Sequence, residues 1–119
     1  MNGPVWKCER CGDPLRANDG VIFVAQDELD RYEEEQRAWD AKRALAGYST
    51  LADAPEGVAW HVVHDRCGGD AGAFWPYSIA SGRILTWKAV ASWSAHLIEK
   101  RWFGQTEWGP LLYAAGCER

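Results

Sequence analysis

Long apolar runs and net positive charge are both missing from this 119-residue chain. No apolar run exceeds that of residues 21–25, which is far shorter than the ~20 residues of a membrane-spanning helix. The net charge is −4 and the pI is near 5.3, which disfavours broad binding to nucleic-acid phosphates because such binding normally accompanies a basic domain. The first residues also lack the apolar stretch of a signal peptide. We therefore expect a cytoplasmic, reduced protein with no membrane association.

Cysteine and histidine are scarce, with four and three copies, but most of them fall into two short pairs. In a reducing compartment, a few cysteines indicate a metal site before disulfides. The first pair is Cys8-x2-Cys11, which is followed by Gly12, and the second is His64-x2-Cys67. A two-residue spacer lets one turn of backbone aim two ligands at one tetrahedral ion. The two pairs together predict a structural Zn²⁺ bound by three thiolates and one imidazole.

Two other residues compete for a place in this metal site. His61 lies three residues before His64, on the opposite face of a predicted strand. We expect His61 to face solvent, but it is the alternative to His64 as fourth ligand. Cys117 would complete an all-cysteine site, although we expect it to be a free thiol near the C-terminus.

The sequence predicts an α+β fold in which a helix interrupts an antiparallel hairpin. Residues 21–25 and 58–63 have the β-branched and aromatic content of strands. Residues 28–46 between them predict a helix, with Asp27 as its cap and acids in its first turns. Its apolar stripe is narrow, so we expect it to be a surface excursion. This insertion accounts for the 52 residues between the two ligand pairs.

Two further helices are predicted toward the C-terminus. Residues 87–103 have one broad apolar half, and Thr86 is placed to cap them. Residues 108–115 predict a short closing helix. We expect one zinc-binding domain over residues 1–119. Its parts are the zinc half-sites and hairpin (5–25 and 58–72), the helical insertion (27–57) and the C-terminal helices (84–116).

The ligand pairs also carry a family resemblance. Cys8-x2-Cys11 with Gly12, and a strand through Trp60 into His64-x2-Cys67, resemble the first half-site of LIM domains and, more loosely, treble-clef zinc fingers. The resemblance implies a small zinc-stabilised hairpin. The chain departs from LIM domains in its much longer gap and in lacking a second pair of half-sites. Residues 93–102 resemble small zinc-finger proteins of unknown function from actinobacteria and their phages. This resemblance implies no activity, and a phage or bacterial accessory protein is our own expectation.

The ligand pattern disfavours catalysis. Four protein ligands leave no open position for a catalytic water. Zinc deaminases place a His-x-Glu motif before Pro-Cys-x-x-Cys, whereas here the cysteine pair comes first. HNH nucleases need an Asn downstream of the strand-end His, but Asn2 and Asn18 both lie upstream. We expect a protein that is not an enzyme, with a zinc-containing enzyme such as an atypical nuclease as the second alternative.

A binding role is the remaining class of function. Eight Trp in so short a chain predict an aromatic core, an aromatic surface or both. We expect a non-enzymatic interaction module, a monomer or small homo-oligomer, that binds a protein partner through Trp75, Tyr77, Trp102, Phe103 and Trp108. The first alternative is a nucleic-acid-binding zinc finger that uses Lys7, Arg10, Arg16, Arg66 and Arg83.

Overall fold

The computed structural model describes residues 3–47, 54–67 and 77–116. Over these residues the fold is α+β, with an antiparallel three-stranded sheet and three α-helices. The strands are β1 (Gly20–Val24), β2 (His61–His64) and β3 (Tyr77–Ala80), and the helices are α1 (Gln26–Ala46), α2 (Trp87–Ile98) and α3 (Trp108–Gly116). None of the helices in these ranges combines the length and the apolarity that crossing a membrane requires.

The apolar strand β1 occupies the centre of the sheet, whose strand order is β2-β1-β3. It pairs antiparallel with β2, placing Gly20 opposite His64, and with β3, placing Val21 opposite Ala80. The predicted antiparallel pairing of the two strands around the insertion is therefore confirmed. The third strand, β3, was not predicted. Ile79 is its one buried residue, so its sequence does not have the repeated apolar positions that indicate a strand.

The sequence predicted that the second strand begins at Val58, but it begins at His61. The backbone of Val58 is engaged elsewhere: its N–H donates to the carbonyl of Gln105 at 2.7 Å, and its carbonyl accepts from Glu107 at 2.8 Å. Val58 consequently forms a parallel bridge with Thr106. This exchange ties the chain before β2 to the C-terminal segment.

Helix α1 lies mainly at the surface, as predicted. It starts two residues before the predicted boundary, and the expected Asp27 cap is wrong because Asp27 lies inside the first turn, after the cap residue Ala25. Gly47 ends the helix in the left-handed conformation, with its N–H donating to Arg43 at 2.9 Å. Its 21 residues extend about 31 Å. Leu29 is its one buried residue, and residues 40–46 are all exposed.

Helix α2 confirms the predicted cap but is shorter than predicted. The hydroxyl of Thr86 accepts a hydrogen bond from the Ala89 amide at 3.1 Å. The helix ends at Ile98 and not at residue 103, because the next amides bond three residues back, as Lys100 does to Leu97 at 2.9 Å. Ile98 was expected on the packed half, yet it is 67% exposed.

The aromatic side chains mostly build the core. Trp60 contacts Trp108 at 4.8 Å and Trp102 at 6.0 Å between ring centroids. Trp108 was expected on the partner surface, but it is only 4% exposed and its indole N–H donates to the Ser94 hydroxyl at 2.9 Å. Trp102, Tyr77 and Phe103 are half-buried against this core. Trp75 lies outside the described residues.

Candidate metal centre

The first ligand pair sits on a tight turn, residues 7–14, which we call the knuckle. Lys7 and Pro14 form a β-bridge at its base. The Cys8 amide donates to Asp13 at 2.9 Å, and the Gly12 amide donates to Cys8 at 2.8 Å. Gly12 has a φ of +82°, a conformation that favours glycine. The turn thereby places both thiols of the pair on one side.

The second ligand pair sits where β2 passes into a single 3₁₀ turn, Asp65–Cys67. The Asp65 amide donates to the Asp19 carbonyl at 2.9 Å, which anchors this turn to the segment before β1. Gly20, which closely follows the knuckle in the sequence, pairs with His64. The long insertion between β1 and β2 therefore does not separate the two ligand pairs in space.

Four donor atoms converge at this junction. The ligand atoms of Cys8, Cys11, His64 and Cys67 all lie within 4.8 Å of one another. A tetrahedral ion with metal–sulfur bonds of about 2.3 Å requires sulfurs roughly 3.8 Å apart. The observed cluster needs only a small contraction to reach that geometry. The predicted set of four therefore comes together in a form compatible with a metal site.

The imidazole of His64 is oriented as a metal ligand would be. Its Nδ1 lies 3.2 Å from Cys11 Sγ, and its Nε2 lies 3.2 Å from the carbonyl oxygen of Pro14. With the proton assigned to Nε2, that nitrogen donates to Pro14 and leaves the Nδ1 lone pair facing the thiols. The ring is 1% exposed, so the knuckle and the sheet fix its orientation.

The environment of Cys8 favours the thiolate form of its side chain. It is buried, and its sulfur accepts backbone N–H groups of Arg10 and His64, each at 3.4 Å. Burial would raise the pKa of Cys8, but the amides of Cys11, His64 and Arg10 outweigh it and lower that pKa to about 6. A low pKa suits metal binding because the ligand must be deprotonated.

The thiol of Cys67 has the opposite environment. Burial, together with the neighbouring Cys11 and Cys8 thiols, raises the pKa of Cys67 to about 11. Three thiolates this close repel one another without a cation between them. The donor set thus fits a divalent cation, whose charge offsets that repulsion.

His61 does not join the cluster and does not face solvent freely. Its Nδ1 lies 2.9 Å from Glu9 Oε1, and its Nε2 lies 2.5 Å from Glu28 Oε1. The ring is half-buried and stacks on Phe23 at 5.2 Å. The expectation of a solvent-facing histidine is therefore wrong, and both nitrogens are engaged with carboxylates. The other alternative ligand, Cys117, lies outside the described residues.

The five basic residues proposed for nucleic acid are all exposed, but acids are interleaved with them. Over residues 7–19, 61–67 and 81–83 there are five bases and four acids. Arg66, for example, lies 3.9 Å from the Asp13 carboxylate. The bases are Lys7, Arg10, Arg16, Arg66 and Arg83, and the acids are Glu9, Asp13, Asp19 and Asp65. Over these described residues, the surface around the knuckle is therefore close to neutral and lacks the positive excess of a phosphate-binding face.

An apolar depression is lined by residues of α2 and by none of the four metal-site residues. Ser92, Trp93 and His96 line a shallow cavity of about 230 Å³ on α2. Trp93 and His96 meet Tyr77, with ring centroids 6.2 and 6.4 Å away. The sequence indicated Tyr77 as a surface aromatic, but it did not indicate that Trp93 and His96 would share its surface. Only the fold of β3 against α2 brings them together.

Comparisons with protein-family models, with curated proteins and with solved structures each found no match to this chain.

Proposed function

We propose that the protein is a zinc-stabilised, non-enzymatic interaction module that binds a protein partner. The observation that carries the proposal is the convergence of Cys8, Cys11, His64 and Cys67 within 4.8 Å. Three thiolates and an imidazole favour Zn²⁺, while Mg²⁺ and Ca²⁺ prefer oxygen ligands. Four protein ligands complete a tetrahedron, so the ion has a structural role.

The resemblance to LIM half-sites and treble-clef fingers is part of this proposal. A knuckle that supplies two cysteines, and a strand that ends in the His64–Cys67 pair, support it. The likeness covers about 40 of the 119 residues, 5–25 and 58–72. On this interpretation the protein is a cytoplasmic accessory factor, such as those of actinobacteria and their phages.

Half-buried aromatic side chains support the choice of a protein partner. Tyr77, Trp102 and Phe103 are packed on the core but retain accessible surface, and Trp93 lines the apolar depression. Trp and Tyr are enriched where interfaces derive most of their binding energy. Nucleic acid is the weaker alternative, because the surface around the knuckle is close to neutral.

Native mass spectrometry of the full chain, with and without a chelator, tests the structural zinc. We expect one zinc ion per chain, and we expect its removal to abolish cooperative unfolding because structural zinc contributes about 10–16 kcal/mol of apparent binding free energy. A brown protein absorbing near 400 nm would instead indicate an iron–sulfur cluster. A metal-free chain that remains fully folded would contradict the structural role.

A gel shift at physiological salt separates the two kinds of partner. We expect no micromolar binding to duplex or single-stranded DNA. Micromolar binding that weakens when Arg10 and Arg66 are changed to Ala would favour the nucleic-acid alternative. A double change of Lys42 and Arg43, at the far end of α1, provides the control for a nonspecific charge effect.

A further inference from the structure

His61 joins the metal-bearing knuckle to the acidic helix α1. Glu9, on one side of its ring, lies between Cys8 and Cys11 in the knuckle, and Glu28, on the other side, lies in the first turn of α1. The ring itself belongs to β2 and stacks on Phe23 of β1. One imidazole therefore connects three parts of the fold: the knuckle, the sheet and the helix.

The position of Glu9 depends on the ligand pair that flanks it. Its amide donates to the Val62 carbonyl at 2.8 Å, which aligns the knuckle with β2. Its carboxylate then meets His61 Nδ1 at 2.9 Å. A metal that binds Cys8 and Cys11 fixes the backbone on both sides of Glu9, and so fixes where this carboxylate lies.

Helix α1 has few other anchors among the described residues. Leu29 is its one buried residue, Tyr32 is partly buried against the core, and Trp39 is half-buried near its far end. On another side, Arg31 and Glu35 line a cavity of about 410 Å³ together with residues 54–57. A cavity, and not close packing, therefore separates these two side chains of α1 from residues 54–57.

We propose that His61 is a positioning residue that couples the metal site to the direction of α1. This inference rests on the proposed zinc site. With zinc bound, Glu9 holds His61, His61 holds Glu28, and α1 is fixed relative to the sheet. Both ring nitrogens face carboxylate oxygens, and both can donate only in the protonated ring. Without that cation, two carboxylates of like charge face each other across the gap and push the first turn of α1 away from the knuckle.

Residual dipolar couplings of the zinc-loaded, ¹⁵N-labelled full chain test the coupling. In the natural protein, we expect the N–H couplings of α1 and of the sheet to fit one alignment tensor. In His61→Gln, which keeps polarity but removes the cation, we expect α1 to need a separate tensor with smaller couplings. Asp40→Asn is the matched control, since it removes an exposed Asp40–Arg43 pair on the same helix, and it should leave the common tensor intact.

A double variant shows whether His61 acts through Glu28. If its role is to hold that carboxylate, His61→Gln/Glu28→Gln should disturb α1 no more than His61→Gln alone. A merely structural role for the ring would make the two changes add. Additive effects would therefore contradict the proposal.

The affinity for zinc provides the reciprocal test, because coupled sites must affect one another equally. Competition with a chromophoric chelator should show zinc binding weakened about fivefold in His61→Gln and unchanged in Asp40→Asn. A common tensor in zinc-loaded His61→Gln overturns the inference, and so does an unchanged zinc affinity. Failure of the natural chain to bind zinc would instead refute the proposed function, which separates the two failures.

Discussion

Cys8 and Cys11 have the same role in the proposed site but opposite environments, and this contrast gives a sharp prediction. Cys8 is 2% exposed and accepts two backbone N–H groups, whereas Cys11 is exposed. Changing either to Ala removes one ligand. We expect Cys8→Ala to be clearly the more damaging of the two.

The magnitude of the difference follows from the contacts of Cys8. Cys8→Ala leaves the buried His64 amide without its acceptor, which costs about 1–3 kcal/mol. In Cys11→Ala, water can reach the exposed fourth position and complete the coordination, as it does in three-ligand zinc sites. A difference of about 2 kcal/mol corresponds to roughly 30-fold in zinc affinity and to roughly 6–12 °C in melting temperature for a chain of this size.

Two measurements check this prediction. Native mass spectrometry across a chelator titration reports zinc loading, and thermal unfolding followed by near-ultraviolet circular dichroism reports stability. We expect Cys11→Ala to retain zinc at chelator concentrations that empty Cys8→Ala. If the two variants lose zinc together and melt at the same temperature, burial and the two amide contacts do not distinguish the ligands, and the reasoning fails.

Three further predictions concern the fold. Carboxylates on both sides raise the pKa of His61 despite its partial burial. Its contribution to stability is therefore complete below about pH 6.5 and declines as the pH rises through the raised pKa. Urea unfolding of the zinc-loaded protein should show the advantage over His61→Gln falling as the pH rises above about 6.5, and a constant difference would contradict it. Thr86→Ala should cost about 1 kcal/mol and Thr86→Ser much less, since the hydroxyl caps α2; equal losses in urea unfolding would rule out capping. Gly20→Ala places a methyl 2.5 Å from the Val63 carbonyl oxygen, whereas Gly104→Ala meets open space. In urea unfolding we expect Gly20→Ala alone to lower the free energy of unfolding, by about 1–3 kcal/mol. A neutral Gly20→Ala would contradict the close approach.

The metal cluster could be predicted from the sequence because its information is local. Each pair needs only a two-residue spacer on one turn, and the register of β1 with β2 then brings the pairs together. The contacts of His61 with the carboxylates of Glu9 and Glu28 could not be predicted in this way. It depends on which turn of α1 lies beside β2, and the sequence spacing of Glu28 and His61 carries no such information.

The differences in the fold have the same origin. The Thr86 cap is a local signal and is confirmed, and so is the exposure of α1. The predicted start of β2 was wrong because the backbone of Val58 bonds to Gln105 and Glu107, almost fifty residues later in the chain. Trp108 was assigned to the surface because amino-acid type alone does not distinguish an interface aromatic from a buried one. Its burial arises from the packing of α3 beside Trp60.

The contact between the knuckle and β2 also bears on solubility. β2 is an outer strand of the sheet, and its residues Val62 and Val63 are both buried and strongly β-forming. An uncovered outer strand of this kind is a template for pairing with another chain. The Glu9 amide occupies the Val62 carbonyl from the outer side, so the knuckle covers that edge. By holding the knuckle in place, a bound metal would therefore also protect the protein from aggregation.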